Sequence, residues 1–176
     1  MSQYYSISPQ LYDDQFWWKK DDLEFWKSLL IHNNKTILEF AAGTGRIACP
    51  LLREGGLYSG VELSRKYVKY ANNKIDDCSP IVQGDMRNIN LNQKFDYLFI
   101  GFNSFLHLLT NSDALLFLDN VKHHMHVGSY FYIDIFVPHP LFLYKPPNIK
   151  FQTIDFFDTR IQEEAEIYET VSYNKD

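Results

Sequence analysis

Apolar and polar positions along the chain follow two regimes. From Lys35 onward, short apolar runs alternate with segments of helical periodicity, the pattern of β-α-β units whose parallel sheet is covered on both faces. Strands are predicted at Thr36 to Phe40, Leu57 to Glu62, Pro80 to Gln83, Phe95 to Gly101 and Ser129 to Phe136, with helices between them. Ser64 reads as the N-cap of a helix reaching about Asn73. Thr110 and Asp113 read as a capping box opening a helix whose Leu115, Leu118, Val121 and Met125 make one apolar stripe. Pro50 suits a helix only in its first turn, where N–H groups have no intrahelical acceptor. That helix is therefore predicted to begin near Ile47, leaving Ala42 to Arg46 as a loop.

The flanking segments have other patterns. Tyr4, Tyr5, Tyr12, Phe16, Trp17, Trp18, Phe25 and Trp26 crowd the N-terminus, and Leu11, Trp18 and Phe25 recur at heptad spacing, which predicts a helix packed on the core. The polar tips of Tyr and Trp also suit a helix that roofs a pocket. After the fifth strand, Pro138, Pro140, Pro146 and Pro147 exclude a helix. Phe151 to Phe157, a turn at Asp158-Thr159, and Arg160 to Tyr173 with Ile161, Ala165, Ile167, Val171 and Tyr173 evenly spaced predict an antiparallel hairpin. Glu163, Glu164, Glu166 and Glu169 would be its solvated face. The expected organisation is a single domain: an N-terminal cap over 1–34, a core over 35–136, and a proline-rich loop with hairpin over 137–176.

Composition narrows the class. A length of 176 residues, 45% hydrophobic and 22% charged, describes one globular domain. No apolar run approaches the roughly eighteen residues of a membrane span, and Met1 to Gln10 lacks the features of a signal peptide, so a cytoplasmic chain with no membrane partner is expected. A net charge of -5 offers no basic field to nucleic acid. Cys49 and Cys78 have no CxxC spacing, and Cys49 reads as a small core residue. His123-His124-x-His126 ends a predicted helix, where imidazoles favour the negative pole of the dipole, so no metal is expected.

Candidate chemistry begins at Glu39-Phe40-Ala41-Ala42-Gly43-Thr44-Gly45-Arg46, where a strand turns into a helix and open parallel sheets bind ligands. Small residues there let backbone approach a ligand, and free N–H groups favour a carboxylate or phosphate. Gly43-x-Gly45-x-x-Ala48 also matches GxGxxG/A, which keeps a dinucleotide open on this loop alone. Glu62 ends the second strand, where a carboxylate can accept both hydroxyls of a ribose. Asp85-Met86 follows the third, where a carboxylate can accept from an exocyclic adenine amine while a backbone N–H reads a ring nitrogen. Phe102-Asn103-Ser104 follows the fourth. Acidic or polar groups after four successive strands suit an adenosine joined to an amino acid rather than a pyrophosphate-linked dinucleotide.

On these residues the sequence resembles the class I S-adenosylmethionine-dependent methyltransferases. Glu39 to Arg46 corresponds to the first motif, with Ala41 where the family has its first glycine. Val61-Glu62-Leu63-Ser64 corresponds to the ribose motif, Gln83-Gly84-Asp85-Met86-Arg87 to the adenine motif, and Phe95-Asp96 through Asn103-Ser104-Phe105-Leu106-His107-Leu108 to the fourth motif and its loop. Through Leu11-Tyr12-Asp13 and Asp22-Leu23-Glu24-Phe25-Trp26 the likeness extends over about residues 11 to 140, toward small-molecule methyltransferases of the methyltransferase-25 type. The fourth motif lacks the Asn/Asp-Pro-Pro-Tyr tetrad, which disfavours the amide and base N-methyltransferases that use it. His126-Val127-Gly128-Ser129 stands where a glycine pair precedes the fifth strand.

The resemblance implies a Rossmann-like, doubly wound, mostly parallel sheet of strand order 3-2-1-4-5, with S-adenosylmethionine as cofactor and a small-molecule methyl acceptor. It implies a cofactor set of Glu39, Ala41, Ala42, Gly43, Gly45, Arg46, Glu62, Leu63, Asp85, Met86, Phe102 and Asn103. Arg46 would neutralise a carboxylate of cofactor or substrate, or else form a surface salt bridge. His107, beside the fourth strand, would take an acceptor proton, and Tyr12 would lie over the sulfonium, with loop capping and ordinary packing as their plainer roles. The family's sheet usually gains a helix and two more strands after the fifth. The residues after Phe136 cannot hold those beside a proline loop and hairpin, so a shortened chain is expected. A cofactor-binding but inactive association module stays open for that reason, as does a homodimer through the fifth strand, which would be a sheet edge unless the hairpin covers it.

Overall fold

The computed structural model describes residues 7–32, 34–75, 80–137, 145–146 and 148–170. Its centre is a five-stranded sheet built of β1 (Thr36–Phe40), β2 (Leu57–Glu62), β3 (Ile81–Gln83), β4 (Phe95–Ile100) and β5 (Met125–Ile133) in the order β3-β2-β1-β4-β5. Every pairing is parallel, with Phe40 opposite Val61 and Ile100. Parallel strands need helical crossovers, which cover both faces, so β1 is buried from Ile37 through Phe40. Alternate residues feed two cores. Ile37 joins Trp26, Leu30, Ala48, Leu51, Ala71 and Phe99 beneath α2 (Leu23–Leu30), α3 (Ala48–Arg53) and α4 (Arg65–Lys74). Leu38 and Phe40 join Leu98, Ile100, Phe117 and Val121 beneath α5 (Asn111–His123). Strand order reverses between β1 and β4, the topological point at which such sheets carry ligands.

Several expectations are corrected. The N-terminal heptad is not one helix: α1 (Pro9–Gln15) and α2 are separated by Phe16 to Asp22, and Trp18 and Phe25 are exposed. Arg46 holds the break in place, donating to the Lys19 carbonyl at 2.9 Å and to both Asp22 oxygens at 2.7 and 2.8 Å. Helix α3 starts one residue later than predicted, with Ile47 as N-cap and Pro50 third in the helix, still within the turn that tolerates it. Cys49 is half-buried rather than a core residue.

Thr110 caps α5 as expected, its Oγ1 accepting the Asp113 N–H at 3.1 Å. The buried stripe of that helix is Phe117, Asn120 and Val121, whereas Leu115 and Leu118 face solvent. The unbroken run Ala114 to Leu118 is apolar on every side, so periodicity alone could not choose its face; edge-on packing of Phe117 against Phe40 and Phe131 does. β5 lies earlier than predicted, and between its Phe95↔Met125 and Tyr97↔Tyr130 pairs it carries three extra residues, taken up where Gly128 adopts φ +96°.

The chain divides into two units, one of residues 1–9 with 19–135 and one of 10–18 with 136–176. In the second, β6 (Phe151–Gln152) pairs with β9 (Tyr168–Glu169) and β7 (Phe156–Asp158) with β8 (Glu163–Ala165), both antiparallel. These form the predicted hairpin, with a one-residue slip between the two pairings and its turn at 159–162. Asp14 of α1 accepts from Thr159 N and Oγ1 at 3.0 and 2.8 Å. Glu163, Glu164, Glu166 and Glu169 are exposed, as expected. Pro138, Pro140, Pro147, Val171, Tyr173 and Cys78 lie outside the described residues.

The face chosen by α5 is testable. Phe117→Ala should destabilise the protein by about 3–5 kcal/mol in urea unfolding, whereas Leu115→Ala should stay within about 0.5 kcal/mol of the parent.

Candidate functional site

At the C-terminal ends of β1, β2 and β3 lies a cavity of about 530 Å³ lined by Ala41, Val61, Leu63, Gly84, Asp85, Met86, Arg87, His107, Leu108, Leu109 and Asp113. Its shape begins with the loop after β1. Ala41, Gly43 and Gly45 take φ of +57°, +57° and +77°, left-handed values that turn the chain sharply out of the strand. Gly45 also closes on α4: a side chain there would begin 3.3 Å from Ala71 Cβ and Ile75 Cδ1. Ala42 N–H donates to the Val61 carbonyl at 3.0 Å, and the Thr44 hydroxyl is buried with no partner among the described residues.

Glu62 ties this loop to the next. The residue is only 2% exposed, and its carboxylate accepts Gly43 N–H at 3.0 Å and Ser64 N–H at 2.7 Å. The second contact explains why Ser64, in place as the N-cap of α4, makes no side-chain cap bond: the preceding carboxylate holds the helix entrance instead. Glu39, beneath the loop, has a different environment. Tyr58 Oη donates to it at 2.5 Å, and burial pushes its pKa up to about 8 while driving that of Tyr58 well above the phenol value.

On the far wall, Asp85 accepts from Arg87 through N at 2.9 Å, Nε at 3.0 Å and Nη2 at 2.6 Å. Arg87 Nη1 also reaches Asp113 Oδ1 at 2.5 Å. Hydrogen bonds from Arg87 hold both carboxylates below their usual range. Two further bonds fasten the Asp85 loop to α5, Asn120 Nδ2 donating to the Met86 carbonyl at 2.9 Å and Leu91 N–H to His124 Nε2 at 3.1 Å. His124 is fully buried, its Nδ1 facing the Asn120 carbonyl at 2.9 Å, and burial lowers its pKa. This is the role the histidine run supplies here. His107 stands on the cavity wall in a 3₁₀ turn (Ser104–His107), and desolvation lowers its pKa as well.

Of the residues singled out from sequence, Ala41, Leu63, Asp85, Met86 and His107 line one cavity; Ala42, Gly43 and Gly45 continue the loop from Ala41, and Glu62, at the end of β2 between the lining residues Val61 and Leu63, is bonded to that loop. Glu39 lies behind them. Arg46 is half-buried against Asp22, with its guanidinium 5.2 Å from the centre of the Phe102 ring. Phe102 and Asn103 adopt φ of +49° and +62°, a strained turn held by Asp134, whose carboxylate accepts Phe102 N–H at 2.9 Å and whose carbonyl accepts Asn103 N–H at 3.1 Å. Tyr12 belongs to the second unit, in α1, with its ring centre 4.7 Å from that of Phe16. Sequence reading missed Arg87, Tyr58 and Asp134. Arg87 alone gave a signal, as an arginine two residues from a site carboxylate.

The profile of a methyltransferase domain family, Methyltransf_25, matches residues 37–128, just over half of the chain. The chain belongs to this methyltransferase family. Over 93 residues it is 31% identical to YqeM of Bacillus subtilis (strain 168), a protein assigned as a methyltransferase, covering 51% of this chain and 38% of that one. Among solved structures, Streptomyces venezuelae DesVI superposes with a TM-score of 0.69 at 16% identity, over 97% of this chain and 83% of that chain. The glycopeptide N-methyltransferase MtfA, complexed with S-adenosylmethionine, superposes with a TM-score of 0.60 at 18% identity, over 85% and 65%. The chain thus spans well under half of YqeM and about two thirds of MtfA, and its strand order is the Rossmann-like 3-2-1-4-5 that the resemblance implied. No helix among the described residues is long and apolar enough to cross a membrane.

Two outcomes follow. Ala41 carries a Cβ in a left-handed conformation that costs an L-residue about 1–2 kcal/mol, partly offset by the backbone freedom a glycine loses on folding, so Ala41→Gly should raise stability by up to about 1 kcal/mol in urea unfolding. Glu39 keeps its proton in the folded state to about pH 8 but only to about 4.5 unfolded, so its contribution is complete below pH 4.5 and is lost as pH rises to about 8. Glu39→Gln should flatten that decline, read as the slope of unfolding free energy between pH 5 and 8.

Proposed function

We propose that the chain binds S-adenosylmethionine across the ends of β1, β2 and β3 and transfers its methyl group to a small-molecule acceptor, an amine foremost. The observation that carries the reading is one cavity lined by Asp85 and by Val61, Leu63 and Met86, with the buried carboxylate of Glu62 between the first two of these apolar residues. The residues fit the cofactor. Glu62, between the lining residues Val61 and Leu63, presents a carboxylate whose acceptor chemistry suits the two hydroxyls of a ribose. The apolar wall suits a purine face, and Asp85 suits its exocyclic amine. The turn of Ala41, Gly43 and Gly45 gives backbone rather than side chains to the amino-acid portion.

When bound, the cofactor supplies a methyl group already activated by a sulfonium, so the protein's part is alignment and proton removal. His107 has its pKa lowered by desolvation, is neutral at physiological pH, and can take the proton that an acceptor amine loses as its nitrogen gains the methyl group. The name of MtfA, an N-methyltransferase acting on a glycopeptide, favours an amine.

Isothermal titration should give a dissociation constant for S-adenosylmethionine well below about 1 mM, and binding no tighter than that would overturn the reading. Glu62→Ala should weaken it by at least about tenfold. Turnover to S-adenosylhomocysteine against a panel of amines and alcohols identifies the acceptor.

A further inference from the structure

The ion pair beside the purine wall has a consequence for which purine the site accepts. Arg87 makes four contacts with the Asp85 carboxylate: its backbone N–H reaches Oδ1, its Nε is shared between Oδ1 at 3.0 Å and Oδ2 at 3.1 Å, and its Nη2 reaches Oδ2 at 2.6 Å. The guanidinium edge thus spans both oxygens and holds the carboxylate as an acceptor. The second arm of the guanidinium is anchored on Asp113, itself held by the Thr110 hydroxyl at 2.8 Å, so the fork is braced from α5 and not only from its own loop. Planar two-point pairing of this kind fixes the plane of the carboxylate as well as its charge, which a lysine would not do.

We propose that Arg87 is the specificity-determining residue that makes this site accept a 6-amino purine and refuse a 6-oxo purine. Held in this way, Asp85 can only accept and has no proton to give to a ring carbonyl. A 6-oxo group would set its oxygen against an ionised carboxylate. Arg87 acts through Asp85 as a positioning residue, and the inference rests on the cofactor reading above. The other charged or titratable groups lining this cavity are Asp113 from α5 and His107 from the 3₁₀ turn. Both remain in a variant at position 87, but Asp113 also loses its Arg87 partner there, so Asp113→Asn in the parent and in the variant separates its contribution from that of Asp85.

The test is titration of S-adenosylhomocysteine and S-inosylhomocysteine at pH 7.5 and 4.5, with the parent, Arg87→Met and Arg87→Lys. The parent should prefer the adenosyl compound by at least about tenfold at both pH values, since Asp85 stays ionised throughout. In Arg87→Met, Asp85 returns toward the ordinary carboxylate range, so the preference should shrink at pH 7.5 and fall by a further factor of about ten at pH 4.5, where a protonated carboxyl can donate to the carbonyl. Arg87→Lys, which keeps the charge without the fork, should give a reduced but pH-independent preference. A purely structural role would weaken both ligands equally. An Arg87→Met ratio equal to the parent's at both pH values overturns the proposal alone. Binding of neither compound by the parent overturns the cofactor reading and this proposal with it. If Arg87→Met does not fold, a parent-like ratio in Arg87→Lys overturns it.

Discussion

A carboxylate shut away from water must be given hydrogen-bond donors, and the arrangement of this site follows from how Glu62 obtains its own. The donors at hand are backbone N–H groups of two segments, Gly43 in the loop after β1 and Ser64 at the entrance of α4. Satisfying one side chain therefore sets the distance between the two loops that border the cavity. The loop can meet the carboxylate only by turning through left-handed conformations, which explains its small residues and the strain retained at Ala41.

Three acidic side chains sit within this one region, and three different devices keep them apart electrically. Glu62 is held by backbone dipoles. Glu39, buried behind the loop, keeps its proton because burial outweighs the Tyr58 hydroxyl, whose donation favours the ionised form. Asp85 is ionised and matched by Arg87, which Asp113 braces from the neighbouring helix. Had all three been ionised without such partners, their mutual repulsion and desolvation would oppose folding. The result is an acidic region in which Asp85 and Asp113 line the cavity, Glu62 lies buried between the lining residues Val61 and Leu63, and Glu39 carries a proton, which suits a ligand presenting hydroxyl and amine donors.

The opposite side of β1 is organised by strain. Two successive left-handed residues, Phe102 and Asn103, are retained because Asp134, just past β5, accepts from both their N–H groups. Arg46 lies over the Phe102 ring while pairing with Asp22, so the N-terminal break, the first loop and the end of β4 share one cation. That sharing accounts for a feature periodicity alone misjudged: Leu11, Trp18 and Phe25 keep a heptad spacing, yet the chain between them is pulled out of helix by contacts the spacing cannot register.

Local chemistry by itself determined the sheet and the motif positions. β1 and β2 are short, mostly apolar or small segments, Ile37, Leu38 and Phe40 in the first and Leu57, Tyr58, Gly60 and Val61 in the second, preceded by Lys35 and Gly56, and their limits could be read because a largely buried strand tolerates few polar residues. The loop from Ala41 to Gly45, Glu62 and Asp85 were legible for a similar reason: small or acidic residues just past a buried strand have few structural explanations. The tertiary structure decided what depends on partners distant in the chain. It chose Phe117 over Leu115 as the buried face of α5, because Phe40 and Phe131 wait on that side. It spread β5 around a bulge, gave Arg46 to Asp22, and joined Arg87 to both Asp85 and Asp113. A residue's type states which interactions it can make, and only the folded chain states which of them are within reach.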